Sequence, residues 1–305
     1  MRPLLLTIAA ISAFGQIQVT APESPVIIGY GDMRFTDPSE KEATNPKVRK
    51  WLVDQLAAEK PTAILLSGDV PWHGQVAEDY AQYATETAPW RAANIFVSVA
   101  LGNHELNGKD PQKCLENWWT AFPKLRGHRW YSAAIGSKIY VLNLDSNSSL
   151  LPGSDQMKWI QAELESLKPS VQFVFFNLHH PPVADLMPEA GADHNPRPNE
   201  IALADFLKAQ HSSARFIVVA GHIHNYERFE RDGIVYLVSG GGGARPRIIR
   251  RSADDLYKNA ADVNYHYVKF VLHGSQLDAE MIRVAEPEAK TPKWETRDRF
   301  TVEAR

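Results

Sequence analysis

Eight residues carry the chemistry in this sequence: Asp32, Asp69, Asn103, His104, Glu105, His179, His222 and His224. They offer carboxylate, amide oxygen and imidazole, a mixed oxygen and nitrogen set suited to borderline divalent or ferric ions. In GHIHNYER (221–228) two histidines stand two apart directly after the apolar run RFIVVA. Residues two apart at a strand end project to one side, so the two imidazoles are expected to converge on one point. Taken singly, an Asp after a strand is usually a helix cap and a lone His a hydrogen-bonded structural residue. Here five successive apolar runs end in such groups: GD at Asp32, GD at Asp69, GNHE from Asn103 to Glu105, HHPP from His179, and GHIH at His222 and His224. Capping does not explain five such endings on one topological edge.

The elements that must position them alternate. Apolar runs such as SPVIIGYG, TAILLSG and ANIFVSVALG are each followed by an amphipathic stretch: KVRKWLVDQLAAEK, VAEDYAQYATE and PQKCLENWWTAF. This is the βαβ rhythm of a parallel or mixed sheet covered by helices. RWYSAAIG and KIYVLNLD read as a hairpin, and SDQMKWIQAELESL, VQFVFFNL, IALADFLKAQ and ARFIVVAG resume the alternation. From Gly233 onward the pattern is strands, then a charged stretch from Glu286. In open α/β sheets ligands gather beyond the carboxyl ends of strands, where all five blocks fall.

At 305 residues the chain is long enough for one large α/β core, and its 44% hydrophobic and 23% charged content exclude a disordered protein. A net charge of −3 gives no global signal for nucleic acid or an acidic membrane. MRPLLLTIAAISAFGQ has a basic start, an apolar stretch too short to span a bilayer and a small-x-small ending. Residues 1–15 are therefore expected to be a secretion signal peptide, and the protein secreted or periplasmic. Residues 16–285 read as one domain and 286–305 as a charged tail. The single cysteine, Cys114, cannot form an internal disulfide and reads as a core thiol.

In their order, the five blocks resemble those of the calcineurin-like metallophosphoesterases, and GHIHNYER most resembles the purple acid phosphatase ending GHxHxYER. The resemblance spans residues 29–228. It implies an α/β fold of four layers, a two-sheet mixed β-sandwich flanked by helices, with a two-metal site (Fe, Zn or Mn) at the sheet edges. It also implies hydrolysis of a phosphomonoester or phosphodiester by in-line attack of a metal-bound hydroxide, on a phosphorylated small molecule or polymer. Carried over residue by residue, Asp69 would bridge both metals, Asp32 and His224 would hold the first, and Asn103, His179 and His222 the second. His104 resembles the family's phosphate-contacting or leaving-group histidine, with Glu105 orienting it. The H-x-P spacing makes His179 the ligand and leaves His180 to packing.

Two first-metal positions depart from the pattern. Most of the superfamily has D-x-H in the first block, where this chain has Asp32-Met33-Arg34. Purple acid phosphatases use a tyrosinate from GDxxY, where GDVPW places Trp72, whose indole nitrogen donates hydrogen bonds and cannot ligate. Three arrangements compete. His73 could restore the missing ligand; the first metal could bind weakly with extra water; or Arg34 could stand in for part of its charge and clamp phosphate oxygens. Arg34 sits two beyond Asp32, on the ligand side of the strand end, which favours the last over an ion pair with Asp37 or another carboxylate. By region alone, His194 falls where purple acid phosphatases keep substrate-side histidines. Tyr226, Glu227 and Arg228 are expected to brace the GHIH loop, the arginines from Arg245 to Arg251 to form a solvated loop, and Asn147-Ser148-Ser149 fits a glycosylation sequon. The rival reading is a degraded member of the family that binds a phosphorylated ligand without hydrolysing it.

Overall fold

The computed structural model describes residues 16–186, 194–259 and 264–305, so the expected leader, 1–15, lies outside the described residues. In chain order the elements are β1 (Ile17–Val19), β2 (Val26–Tyr30), α1 (Pro46–Ala58), β3 (Ala63–Leu66), α2 (Ala77–Glu86), α3 (Ala88–Ala92), β4 (Phe96–Val99), α4 (Pro111–Ala121), β5 (Tyr131–Ile135), β6 (Ile139–Asn143), α5 (Asp155–Glu165), β7 (Phe173–Leu178), α6 (Pro198–Lys208), β8 (Arg215–Ala220), β9 (Tyr226–Arg231), β10 (Ile234–Ser239), β11 (His266–His273), β12 (Gln276–Val284) and β13 (Trp294–Glu303). Helix starts follow local chemistry: Asn45, Asp110 and Ser154 accept first-turn N–H groups at α1, α4 and α5, and prolines occupy the first turn of α1 and α4. Among the described residues no helix is long and apolar enough to cross a membrane.

The strands form two sheets, ordered β1-β5-β6-β7-β8-β10-β9 and β13-β12-β11-β2-β3-β4. Period-two alternation explains how these layers stack. In β3, Ile64 and Leu66 pack under the helical layer with Leu52, Tyr83, Trp90 and Trp118, whereas Ala63 and Leu65 face the other sheet. In β8, Ile217 and Val219 face inward, while Phe216 and Val218 pack with Ile160 of α5 and Leu203 of α6. The result is the expected four layers, helix, sheet, sheet, helix.

The inter-sheet core turns polar at one end, one step beyond its apolar positions. Ser67 Oγ donates to Asn177 Oδ1 at 3.0 Å, Asn177 Nδ2 to the Leu66 carbonyl at 3.0 Å and to Asn143 Oδ1 at 2.9 Å, and Asn143 meets Ser98. These bonds stitch the carboxyl ends of β3, β4, β6 and β7 together directly beneath the ligand-bearing loops.

Two elements differ from expectation. The charged stretch from Glu286 is not a tail outside the domain: its residues Trp294–Glu303 form β13, an edge strand antiparallel to β12. Charged residues suit an edge strand because they discourage further pairing, and that same charge masked the strand in the sequence. Asp298 on β13 accepts from Tyr226 Oη at 2.9 Å and Arg228 Nε at 2.6 Å. The Tyr226-Glu227-Arg228 stretch is itself the start of β9, so it braces the GHIH loop as an edge strand fastened to the C-terminal one.

His266 gives the fold an acid sensitivity. Burial, helped by Arg251 and Arg283, pushes its pKa down to about 4. Its Nδ1 donates to the Asn264 carbonyl, and Nε2 meets Ser239 Oγ. An exposed imidazole protonates near 6.5, so below that pH the unfolded chain takes up the proton first. The stabilising contribution of the neutral ring is therefore complete above roughly pH 6.5 and lost as pH falls towards 4, an expected loss of about 3 kcal/mol. Urea denaturation at about pH 7.5 and about pH 4.5 should show this decrement shrinking in His266→Gln; equal decrements in both proteins would refute it.

Candidate metal centre

The loops after β2, β3 and β8 turn sharply over the sheet ends. Asp32, Arg34, Asp69 and His222 all adopt left-handed backbone, with φ of 62°, 51°, 55° and 70°. Non-glycine residues there carry strain of order 1 kcal/mol, which the surrounding bonds must hold. They do: Arg34 N–H donates to the Asp69 carbonyl at 2.9 Å, Asp32 N–H to Gly68, and Ala244 N–H to the Asp32 carbonyl. The glycines in GD, GN and GH are needed for close approach. A Cβ on Gly102 would stand 2.4 Å from Asp69 Oδ1, and one on Gly221 2.5 Å from Asp32 Oδ2.

One group of ligand atoms gathers around His179. Its Nδ1 lies 2.8 Å from the Ser67 carbonyl, which only accepts, so Nδ1 carries the proton and Nε2 is bare. That bare nitrogen faces Asn103 Oδ1 at 2.9 Å, Asp69 Oδ1 at 3.2 Å and His222 Nδ1 at 3.2 Å, while His222 Nδ1 also lies 3.1 Å from Asn103 Oδ1. Ligand atoms about 2.1 Å from one metal stand about 3 Å apart, so this convergence of electron pairs fits a divalent cation.

A second group comprises Asp32, Asp69 and His224, all buried. His224 Nδ1 donates to the Arg245 carbonyl at 2.9 Å, leaving Nε2 directed at Asp32 Oδ1, 3.6 Å away. Both atoms are buried without a hydrogen-bond partner. Orphaned buried acceptors facing each other are costly unless a cation lies between them. His222 and His224 therefore serve different groups and do not converge on one point. The left-handed His222 breaks the strand geometry on which that expectation rested.

Electrostatics match this division. Burial, reinforced by Asp69, raises the Asp32 carboxyl well above the carboxylate range. Burial acts the same way on Asp69, but His179, His104 and Arg34 outweigh it and hold Asp69 well below. Burial lowers His179, and burial together with Arg34 lowers His224, favouring the neutral imidazole that can ligate.

The remaining expected residues fall on both sides of the reading. Arg34 Nη2 pairs with Asp69 Oδ2 at 3.3 Å, the ion pair with a carboxylate other than Asp37 that the sequence favours less than phosphate clamping, and its guanidinium lies 4.9 Å over the Trp72 ring. His104 stacks on Trp72 with ring centroids 4.7 Å apart, and its Nδ1 donates to the Trp72 carbonyl at 2.6 Å, presenting Nε2 3.8 Å from Asp69 Oδ2. Glu105 does not orient His104. Its carboxylate accepts from the backbone N–H groups of Asp69, Val70 and Gly102, because the sharp loops leave those donors pointing inward. His73 does not restore a ligand: its ring turns to Asp79 at 3.9 Å and is 43% exposed. Asn147 commits its amide to the Gly102 carbonyl and Asp145, a use that competes with glycosylation.

Two further histidines stand beside the site, and His180 is closer to it than the sequence suggested. His180 is not turned away into packing: its ring lies 4.3 Å from that of His222, with Nδ1 2.8 Å from Ser146 Oγ. His194 stacks on His222 at 4.7 Å. The adjacent HH pair hid the place of His180, since alternation along an extended chain separates neighbours, whereas the irregular turn after β7 leaves the His179 and His180 rings 4.9 Å apart. The arginine loop also has a structural use, because the Arg245 carbonyl fixes the His224 tautomer.

A family model described as calcineurin-like phosphoesterase matches residues 31–226. No curated protein matches the chain significantly. Among solved structures, the fold is similar to the purple acid phosphatase PPD1 from yellow lupin (Lupinus luteus) seeds, with a TM-score of 0.72 at 18% identity. That likeness covers 92% of this chain and 54% of the lupin chain, so this chain spans about half the lupin protein's length. It is also similar to PhoD (TM-score 0.65, 15% identity, 93% of this chain and 70% of that one) and to a dimetal phosphatase from Danio rerio (0.58, 14%, 92% and 100%). These likenesses are of fold.

Proposed function

Because this chain belongs to the calcineurin-like phosphoesterase family, we propose that it hydrolyses a phosphoester with two metal ions. Asp32, Asp69 and His224 would hold one ion, and Asp69, Asn103, His179 and His222 the other. The observation that carries this reading is the buried group of Asp32, Asp69 and His224, within which Asp32 Oδ1 and His224 Nε2 are left unpartnered, beside a second group in which Asp69 Oδ1 and Asn103 Oδ1 meet His179 Nε2. Bound there, the metals would polarise the phosphoryl group and make water a better nucleophile.

The chain's own groups have distinct tasks in this proposal. With Nδ1 fixed on Trp72, His104 presents Nε2 to the leaving-group oxygen, to which it donates a proton when charged. Trp72 forms the wall that holds both His104 and Arg34 in place. His180 and His194 stand against His222, where they would meet the substrate.

The test is hydrolysis of a chromogenic phosphomonoester and a chromogenic diester by the purified protein, before and after chelation, with Zn, Mn and Fe returned singly and in pairs. Turnover that disappears on chelation and returns with metal is expected, and the faster substrate assigns the ester class. Absence of turnover with every metal, alongside retained binding of inorganic phosphate, would replace hydrolysis by ligand binding.

A further inference from the structure

The two ligand groups are not electrostatically equivalent. Asp69 Oδ1 is turned to His179 and to the His104 backbone N–H, 3.0 Å away. That leaves Oδ2 for the group containing Asp32 and His224, and Oδ2 is the atom held by Arg34 at 3.3 Å. Among the described residues, no lysine or arginine is paired with Oδ1.

Arg34 is also poorly placed to withdraw. Its side chain is only 13% exposed, its backbone is left-handed, and its N–H and carbonyl are bound by the Asp69 carbonyl and by Arg49 Nη1 at 3.0 Å. The Trp72 ring flanks its guanidinium. A divalent ion entering between Asp32 and His224 meets a fixed positive charge on the same carboxylate oxygen it needs, in a buried setting where like charges repel strongly.

Resting on the two-metal reading above, we propose that Arg34 is a resident cation that competes with the metal at Asp32, Asp69 and His224. The two positions then fill in order: Asn103, His179 and His222 first and tightly, Asp32 and His224 second and weakly. The Nε of Arg34 is buried without a partner, so a guanidinium displaced from Asp69 retains a free donor for an incoming oxyanion.

Calorimetric titration of Zn2+ into chelator-stripped protein tests this without recourse to activity. Wild type is expected to show two binding events separated by about tenfold or more in affinity, and Asp32→Asn to remove only the weaker one. Arg34→Met should tighten the weaker event by about tenfold and leave the tighter one unchanged, whereas Arg34→Lys keeps it weak. Arg34→Gln is the second neutral variant should methionine disturb folding, and thermal unfolding in chelator confirms that each variant is folded. Two equal events in wild type, or an unchanged weak event in both neutral variants, would overturn the proposal. No zinc binding at all in wild type would instead overturn the metal-centre reading on which it rests.

Discussion

Asp69→Asn is expected to lower kcat/KM by about a thousandfold or more while leaving the protein folded. Among the described residues, Asp69 is the one whose side chain reaches both ligand groups. One oxygen faces His179 at 3.2 Å and accepts the His104 N–H at 3.0 Å, and the other faces Arg34 and His104 Nε2. An amide removes the charge that holds these cations and would-be metals together. It also turns an NH2 towards either the His104 N–H or the Arg34 guanidinium, donor against donor. The folded state should persist because Glu105, not the Asp69 side chain, secures the Asp69 and Gly102 backbone. The measurement is steady-state hydrolysis alongside metal content on the same preparation. A variant that retains two metals and turns over within about tenfold of wild type would remove Asp69 from the role of shared ligand.

The layer structure was legible because it follows from alternation, a local property. Ile64 and Leu66 against Ala63 and Leu65 already divide the two faces of β3. The ligand-bearing positions were legible for a related reason: a parallel strand that ends in a polar residue points it at the common edge. The path of the chain beyond the strand end was not legible. His222 and His224 part company because His222 takes a positive φ, which no pattern of residue types announces. Glu105 reads naturally as a partner of the adjacent His104, yet three backbone N–H groups brought in from two loops claim it first. Charge concealed β13, since a strand needs buried apolar residues to be recognised and Val302 is its one fully covered apolar position. Arg34 could be placed near the site from its spacing, but its choice of Asp69 depends on the loop after β3, more than thirty residues away.

The second large effect is expected at Arg49, a residue with no part in the chemistry. Its side chain is fully buried in α1, and it makes a two-pronged pair with Glu86 of α2, at 3.0 Å from Nε and 2.5 Å from Nη2. Nη1 holds the Arg34 carbonyl, and the guanidinium lies 4.7 Å over the Phe35 ring. Removing one member of a buried ion pair strands the other, so Arg49→Met is expected to cost about 3–5 kcal/mol, or about 10 °C in Tm. Glu86→Leu in the same background should return much of that loss, because two apolar groups of similar size satisfy each other where a lone carboxylate cannot. Urea denaturation of the single and double variants measures both quantities, and a single-variant loss below about 1 kcal/mol would show that the pair is incidental. The carbonyl bond adds a second consequence. Without Arg49, the left-handed turn at Arg34 loses a support, and the guanidinium on Asp69 is freer to move. Arg49→Met should therefore weaken the fold while easing metal entry beside Asp32 and His224, a combination that loss of packing alone would not produce.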